Sequence, residues 1–134
     1  MRLFFLLLLS SAAAIAQQST YPQDYFISPM NLPLHASGTF GELRTNHFHA
    51  GLDYRTNQKE GLPVYAAADG YVSRVRVSAY GYGTALYIDH PNGFTTLYGH
   101  LQKYAPKIEE YVRAKQYEKQ SFDVDLFLKP GELT

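Results

Sequence analysis

The chain has 134 residues, with Lys plus Arg and Asp plus Glu balanced at 12 each and a formal net charge of zero. That length accommodates one modest domain, and the charge balance removes the electrostatic case for a nucleic-acid or polyanion partner. No cysteine occurs, which excludes disulfide staples and the lipid-modified cysteine of a usual lipoprotein.

Met1-Arg2, the apolar run Leu3 to Leu9 and the small-residue end Ala14-Ile15-Ala16 supply the three parts of a secretory signal. The run is shorter than the ~20 apolar residues a spanning helix needs. Residues 1–16 are therefore expected to be cleaved, leaving no stable membrane anchor and an exported product in the periplasm, the cell envelope or outside. Residues 17–39 lack a clear period and read as an extended N-terminal segment. Within it Pro29 and Pro33 forbid a helix and suit an edge strand or extended chain.

The stretch Asn46-His47-Phe48-His49-Ala50-Gly51-Leu52-Asp53-Tyr54 is the richest in chemistry. Imidazole and carboxylate suit a divalent zinc ion, and Gly51 lets donors four apart converge without a helix. The same residues read equally as a polar turn in which Asp53 caps a bend. Further on, Arg55 to Gly61 is a polar loop, Pro63 to Ala68 a short strand and Asp69-Gly70 a tight turn. Tyr71 to Ser78 alternates, with Val72, Arg74 and Arg76 on one face and Ser73, Val75 and Val77 on the other. Tyr80-Gly81-Tyr82-Gly83 forms an aromatic loop, too short and wrongly placed for a dinucleotide site.

Thr84 to Asp89 and Phe94 to Leu101 read as a hairpin turning at His90-Pro91-Asn92-Gly93. Phe94, Thr96, Tyr98 and His100 are expected on a polar-aromatic face and Thr95, Leu97 and Leu101 on the core face. Pro106 opens a helix whose stripe is Tyr104, Ile108, Tyr111, Val112 and Lys115, with Glu109 paired to Arg113, and which fades near Gln120. Phe122, Val124 and Leu126 alternate with acidic residues as a further strand.

Taken in order, these residues resemble the lysostaphin/LytM-type zinc endopeptidases. His49-Ala50-Gly51-Leu52-Asp53 resembles the H-x-G-x-D metal motif of that family, and Phe40-Gly41 with Arg44 its lead-in. Gly61-Leu62-Pro63-Val64 and Ala68-Asp69-Gly70-Tyr71-Val72 resemble its first hairpin. Gly81-Tyr82-Gly83 with Ile88-Asp89-His90 resembles the next strand pair, and Thr96-Leu97-Tyr98-Gly99-His100-Leu101 the T-x-Y-x-H-L strand. The resemblance implies a mainly β fold: a compact antiparallel β-sheet or sandwich domain with a narrow groove, here carrying one inserted helix. It implies Zn2+ as cofactor and a peptide of bacterial peptidoglycan as substrate. It makes His49 and Asp53 metal ligands and His100 the catalytic groove histidine.

The family draws its third zinc ligand from a C-terminal H-x-H pair, and no histidine follows His100. The domain is accordingly expected over residues 40–134, truncated before its last strands, with a helix-strand insertion at about 105–128. The alternative is a non-catalytic envelope module with a degenerate zinc site that binds peptidoglycan or activates another hydrolase. His47 would share a face with His49 on a strand and could stand in for the missing ligand; the family pattern instead leaves it as a supporting or surface residue. His90 is expected to be structural, and His35 has no assigned role.

Overall fold

β-branched and aromatic residues interrupted by glycine-bearing turns fill the chain between Tyr71 and Tyr98, and this stretch builds the larger sheet. The computed structural model describes residues 22–133, so the expected signal segment 1–16 lies outside the described residues. In chain order the elements are β1 (Ala36–Gly38), β2 (Asp53–Tyr54), β3 (Tyr71–Val77), β4 (Ala85–Asp89), β5 (Thr95–Tyr98), α1 (Pro106–Lys119) and β6 (Val124–Phe127). β1 and β2 form a small antiparallel ladder. The other four strands make an antiparallel sheet in the order β5-β4-β3-β6. The expected mainly β fold with a single helix is what the chain adopts among the described residues.

β6 pairs with β3, from Arg74↔Phe127 to Val77↔Val124, so the segment after the helix returns to widen the central sheet. Val75, Val77, Val124 and Leu126 on these strands, with Leu128 just past β6, meet Tyr104 ahead of α1 and Val112 on it, and together they form the core. The helix stripe read from the sequence is the one that packs, with Ile108 and Tyr111 beside Val112. Pro106 sits in the first turn, where its missing N–H costs nothing. The helix stops at Gln120, left-handed at φ 48°, whose N–H returns to the carbonyls of Gln116 and Tyr117.

Four local expectations need correction. Strict alternation along β3 fails because a bulge lies between Val72 and Arg74, which oppose the adjacent residues Ile88 and Tyr87. The extra residue turns Val72 to the face of Val75 and Val77, where it packs on the core. Residues 63–68 form no strand; they run beside the N-terminal segment through Tyr65 N–H to Pro29 O and Ile27 N–H to Ala67 O, both 2.8 Å. Phe122 precedes β6 and is exposed. Lastly, the faces of β5 are exchanged: Leu97 is 38% exposed, whereas Thr96 and Tyr98 are half-buried.

The reason for the exchange is hydroxyl chemistry on the covered face. Tyr98 Oη accepts the Ala67 N–H at 2.8 Å and lies 3.0 Å from Thr96 Oγ1. Thr96 Oγ1 is in turn 2.9 Å from Nε2 of His90, whose Nδ1 donates to the Asp69 carbonyl at 2.8 Å. His90 is 5% exposed, with the Tyr25 and Phe26 rings edge-on against it. Its bonds hold the β4–β5 turn to the loop before β3, which is the structural role expected of it.

Candidate metal centre

A short hairpin carries the chemistry. His49 N–H donates to Glu42 O and Gly41 N–H to His49 O, each at 2.8 Å, while Arg44 N–H donates to His47 O at 2.9 Å. Leu43 and Phe48 face each other across an isolated bridge. The chain then bends at Gly51 and enters β2, where Asp53 stands opposite Gly38 of β1. This path returns the Asp53 side chain to the imidazole of His49, with Nε2 and Oδ1 3.2 Å apart.

Which atoms carry protons follows from the surrounding bonds. His49 Nδ1 lies 3.0 Å from the Thr39 carbonyl, which can only accept, so Nδ1 is the N–H. A neutral ring then turns the lone pair of Nε2 toward Asp53. Asp53 Oδ2 is occupied by Arg44 Nη2 at 2.7 Å, and Oδ1 also presents lone pairs. With the ring neutral, two acceptors would face each other there with no hydrogen between them. A proton on Nε2 or a shared cation relieves that repulsion. The His49 side chain is 18% exposed and that of Asp53 43%, so the edge is reachable from solvent.

The spacing suits zinc. Donors about 2.0–2.1 Å from a tetrahedral zinc lie about 3.3 Å from one another, close to the separation seen here. The Thr39 carbonyl fixes the His49 ring through Nδ1, the kind of outer bond that orients histidines at metal sites. Nitrogen plus carboxylate oxygen is also a donor set that zinc accepts. Residues and group fit for two of the ligand positions. Among the described residues, no cluster of three His, Cys, Asp or Glu side chains is placed to hold a metal.

His100 is not brought into a cluster with His49 and Asp53. It lies beyond the end of β5 rather than on it, at φ 55°, a left-handed conformation that costs a non-glycine residue about 1–2 kcal/mol. The kink is clamped, with His100 N–H on Tyr82 O at 2.9 Å and Leu101 N–H on Thr84 O at 3.0 Å. Gly83, itself at φ 62°, lies under the ring, and a Cβ there would stand 3.8 Å from His100 Nδ1. An exposed histidine held in a strained conformation is the kind of position that function maintains.

His47 leaves the site. The hairpin bend at 45–47 replaces the strand that would have aligned it with His49, and its Nδ1 lies 2.9 Å from Asn46 Oδ1. Sequence reasoning missed Gly38, Thr39 and Glu42, and it gave Arg44 only a place in a motif. The available signal was the opposite-charge pair Glu42 and Arg44, two apart and just upstream of the histidines.

The DD-carboxypeptidase/endopeptidase Mpg of Neisseria meningitidis and that of Neisseria gonorrhoeae are each 43% identical over 63 residues, which is 47% of this chain and 14% of theirs. An "Uncharacterized metalloprotease" of Haemophilus influenzae is 37% identical over 65 residues, 48% of this chain and 13% of its own length. The chain therefore spans about a seventh of the curated relatives it matches. No solved structure matches. The sequence pattern of peptidase family M23 runs over residues 47–117, more than half the chain, from the bend at His47 past the Asp53 carboxylate and the His100 kink into α1. On that span the chain belongs to peptidase family M23.

Proposed function

We propose that this chain carries part of the active site of a zinc metalloendopeptidase that cuts peptide bonds of bacterial peptidoglycan. His49 and Asp53 are assigned as metal ligands and His100 as the histidine that handles the proton. The observation that carries the proposal is the 3.2 Å approach of His49 Nε2 to Asp53 Oδ1, an edge already oriented by Thr39 and Arg44. The printed activity of the Neisseria relatives, DD-carboxypeptidase/endopeptidase, supports a peptide substrate.

When bound, zinc supplies Lewis acidity at a carbonyl and lowers the pKa of a coordinated water to about 7. The chain's own residues do the rest. His49 offers Nε2 because Thr39 O holds the proton on Nδ1. Asp53 adds negative charge beside it through Oδ1. His100, exposed and fixed by its clamped backbone, can accept a proton at a ring nitrogen and return it to a leaving amine. A catalytic zinc takes three protein ligands, so the third is assigned to chain outside residues 22–133. Cleavage of the segment 1–16 would place the product in the envelope, where this substrate is.

Calorimetric titration of the 134-residue chain with zinc tests the ligands. One weak site per chain, micromolar or poorer, is expected, and His49→Ala and Asp53→Ala should each abolish it. Absent binding in the parent chain, or binding kept in both variants, defeats the assignment. The chemistry is then read on a longer chain that supplies the third ligand. New amino groups should appear on purified peptidoglycan, and His100→Ala should stop their release while zinc stays bound. Zinc binding and wall binding without any release would instead establish the non-catalytic envelope module.

A further inference from the structure

We propose that Arg44 is a positioning residue that makes Asp53 a one-oxygen ligand and so sets which cation the His49–Asp53 pair accepts. The inference rests on the reading of that pair as a zinc site. It starts from a closed circuit of bonds. Arg44 Nη2 lies 2.7 Å from Asp53 Oδ2 and 3.3 Å from Glu42 Oε2. The same Glu42 oxygen accepts the Thr39 N–H at 3.2 Å. The carbonyl of Thr39 holds His49 Nδ1, and His49 Nε2 faces Asp53 Oδ1. The last link, 3.2 Å between two potential metal donors, is where a cation would sit.

Two further features show that the circuit is built around Arg44. Gly38 is buried on β1 directly beneath it, and a Cβ there would overlap both Asp53 Oδ2 and Arg44 Nη2. The carboxylate–guanidinium pair is therefore pressed against bare backbone, in a space that only glycine leaves open. Arg44 Nε is buried and has no hydrogen-bond partner among the described residues. The guanidinium is thus placed for its two carboxylates at the expense of its Nε donor.

The consequence concerns selectivity. A carboxylate with both oxygens free can close on a large, oxygen-seeking ion in bidentate fashion, as calcium sites use it. Manganese likewise favours many oxygen donors, whereas zinc takes four ligands with nitrogen among them. With Oδ2 engaged by Arg44, Asp53 offers Oδ1 alone, which suits zinc and penalises the others. Arg44 also brings a positive charge near the site, which weakens every divalent ion alike. The ratio of affinities cancels that common effect, so the ratio is the quantity to measure.

The test is titration of the 134-residue chain with zinc and with manganese, for the parent and for Arg44→Ala, Arg44→Lys and Glu42→Gln. Arg44→Ala should lower the zinc-to-manganese ratio by about tenfold, the scale on which outer partners of ligands act. Arg44→Lys should keep the ratio within about threefold of the parent, because one nitrogen makes both carboxylate contacts and a lysine amine supplies one. Infrared difference spectra on zinc binding should show one-oxygen coordination in the parent and two-oxygen coordination in Arg44→Ala, with Asp53→Asn removing the band. An unchanged ratio and spectrum in Arg44→Ala, while His49→Ala abolishes zinc binding, overturns the proposal and leaves the zinc site standing. Zinc binding that survives His49→Ala and Asp53→Ala overturns both. If Arg44→Ala does not fold, Glu42→Gln should shift the ratio the same way by about threefold, and no shift there overturns the proposal.

Discussion

The four-stranded sheet with its helix and the hairpin that carries His49 and Asp53 are held together by different forces. In the sheet, Val75 is fully buried and Val77, Val112, Val124 and Leu126 close around it, so removal of apolar surface from water dominates. Around the hairpin, Phe40, Leu43, Phe48 and Leu52 are all exposed, Phe40 by 76%. Backbone bonds, the Arg44 ion pairs and a glycine-lined contact give that region its shape instead. One region is a support whose stability is set by packing, and the other is a polar frame whose geometry depends on a few named bonds.

The largest expected contrast comes from the core. Val75→Asp places an unpaired charge where nothing can solvate it and should cost about 4 kcal/mol or more. Urea unfolding would then show loss of the cooperative transition; an unchanged midpoint would mean that the packing of β3 on β6 and α1 is not what stabilises the chain. Next comes Tyr104, whose hydroxyl donates to the Arg76 carbonyl at 2.7 Å and lies 3.1 Å from that of Ala85. Tyr104→Phe should cost about 1–2 kcal/mol at neutral pH by stranding those acceptors. Burial also pushes the Tyr104 hydroxyl up to about 12. Because the folded value exceeds the unfolded value of about 10, this stabilisation is complete below pH 10 and is lost as pH rises through the folded value. Denaturation curves at alkaline pH should fall more steeply for the parent than for Tyr104→Phe.

A smaller effect belongs to the outer face of the sheet. Asp125 accepts from Arg74 Nε and Nη2 at 2.7 and 2.6 Å, and the guanidinium lies over the Tyr87 and Phe127 rings. Both side chains are partly solvated, so Asp125→Asn should cost about 1 kcal/mol or less. The Arg74 bonds hold the Asp125 carboxyl below its ordinary range. Its contribution is therefore present above about pH 4 and is lost as pH falls through the lowered folded value. Acid unfolding of Asp125→Asn should accordingly lack that part of the decline.

The two regions were also unequally legible in the sequence. The helix start at Pro106, its packing stripe and the β4–β5 hairpin are encoded locally, in spacing and turn residues, and could be read directly. The pairing of β6 with β3 is a long-range choice that no local pattern reports. The bulge at Val72–Arg74 was hidden because either register gives a plausible alternation. Leu97 and Thr96 were misplaced since residue polarity ignores what a hydroxyl can bond to, here Tyr98 and His90. At the candidate site the approach of His49 to Asp53 was legible from the four-residue spacing around Gly51. The circuit through Thr39, Glu42 and Arg44 was not, since it exists only after the hairpin closes and β1 meets β2.

The smallest expected effect is the sharpest test of the division between regions. Phe48 faces Leu43 across the bridge, yet it is 69% exposed, so Phe48→Ser removes little buried surface. Global stability should change by no more than about 0.5 kcal/mol. If the hairpin is an independent frame, its amides should exchange with solvent through local opening, well before the amides of β3 and β4. Those to watch are Gly41, Arg44 and His49, whose bonds close the turn. Phe48→Ser should speed exchange at these three positions and leave the strands unaffected, because the lost contact lies within the hairpin alone. Exchange of all the amides at one common rate, in parent and variant alike, would mean instead that the polar frame unfolds only with the core. The bonds around His49 would then take their strength from the sheet, and the candidate site would be no more mobile than Val75.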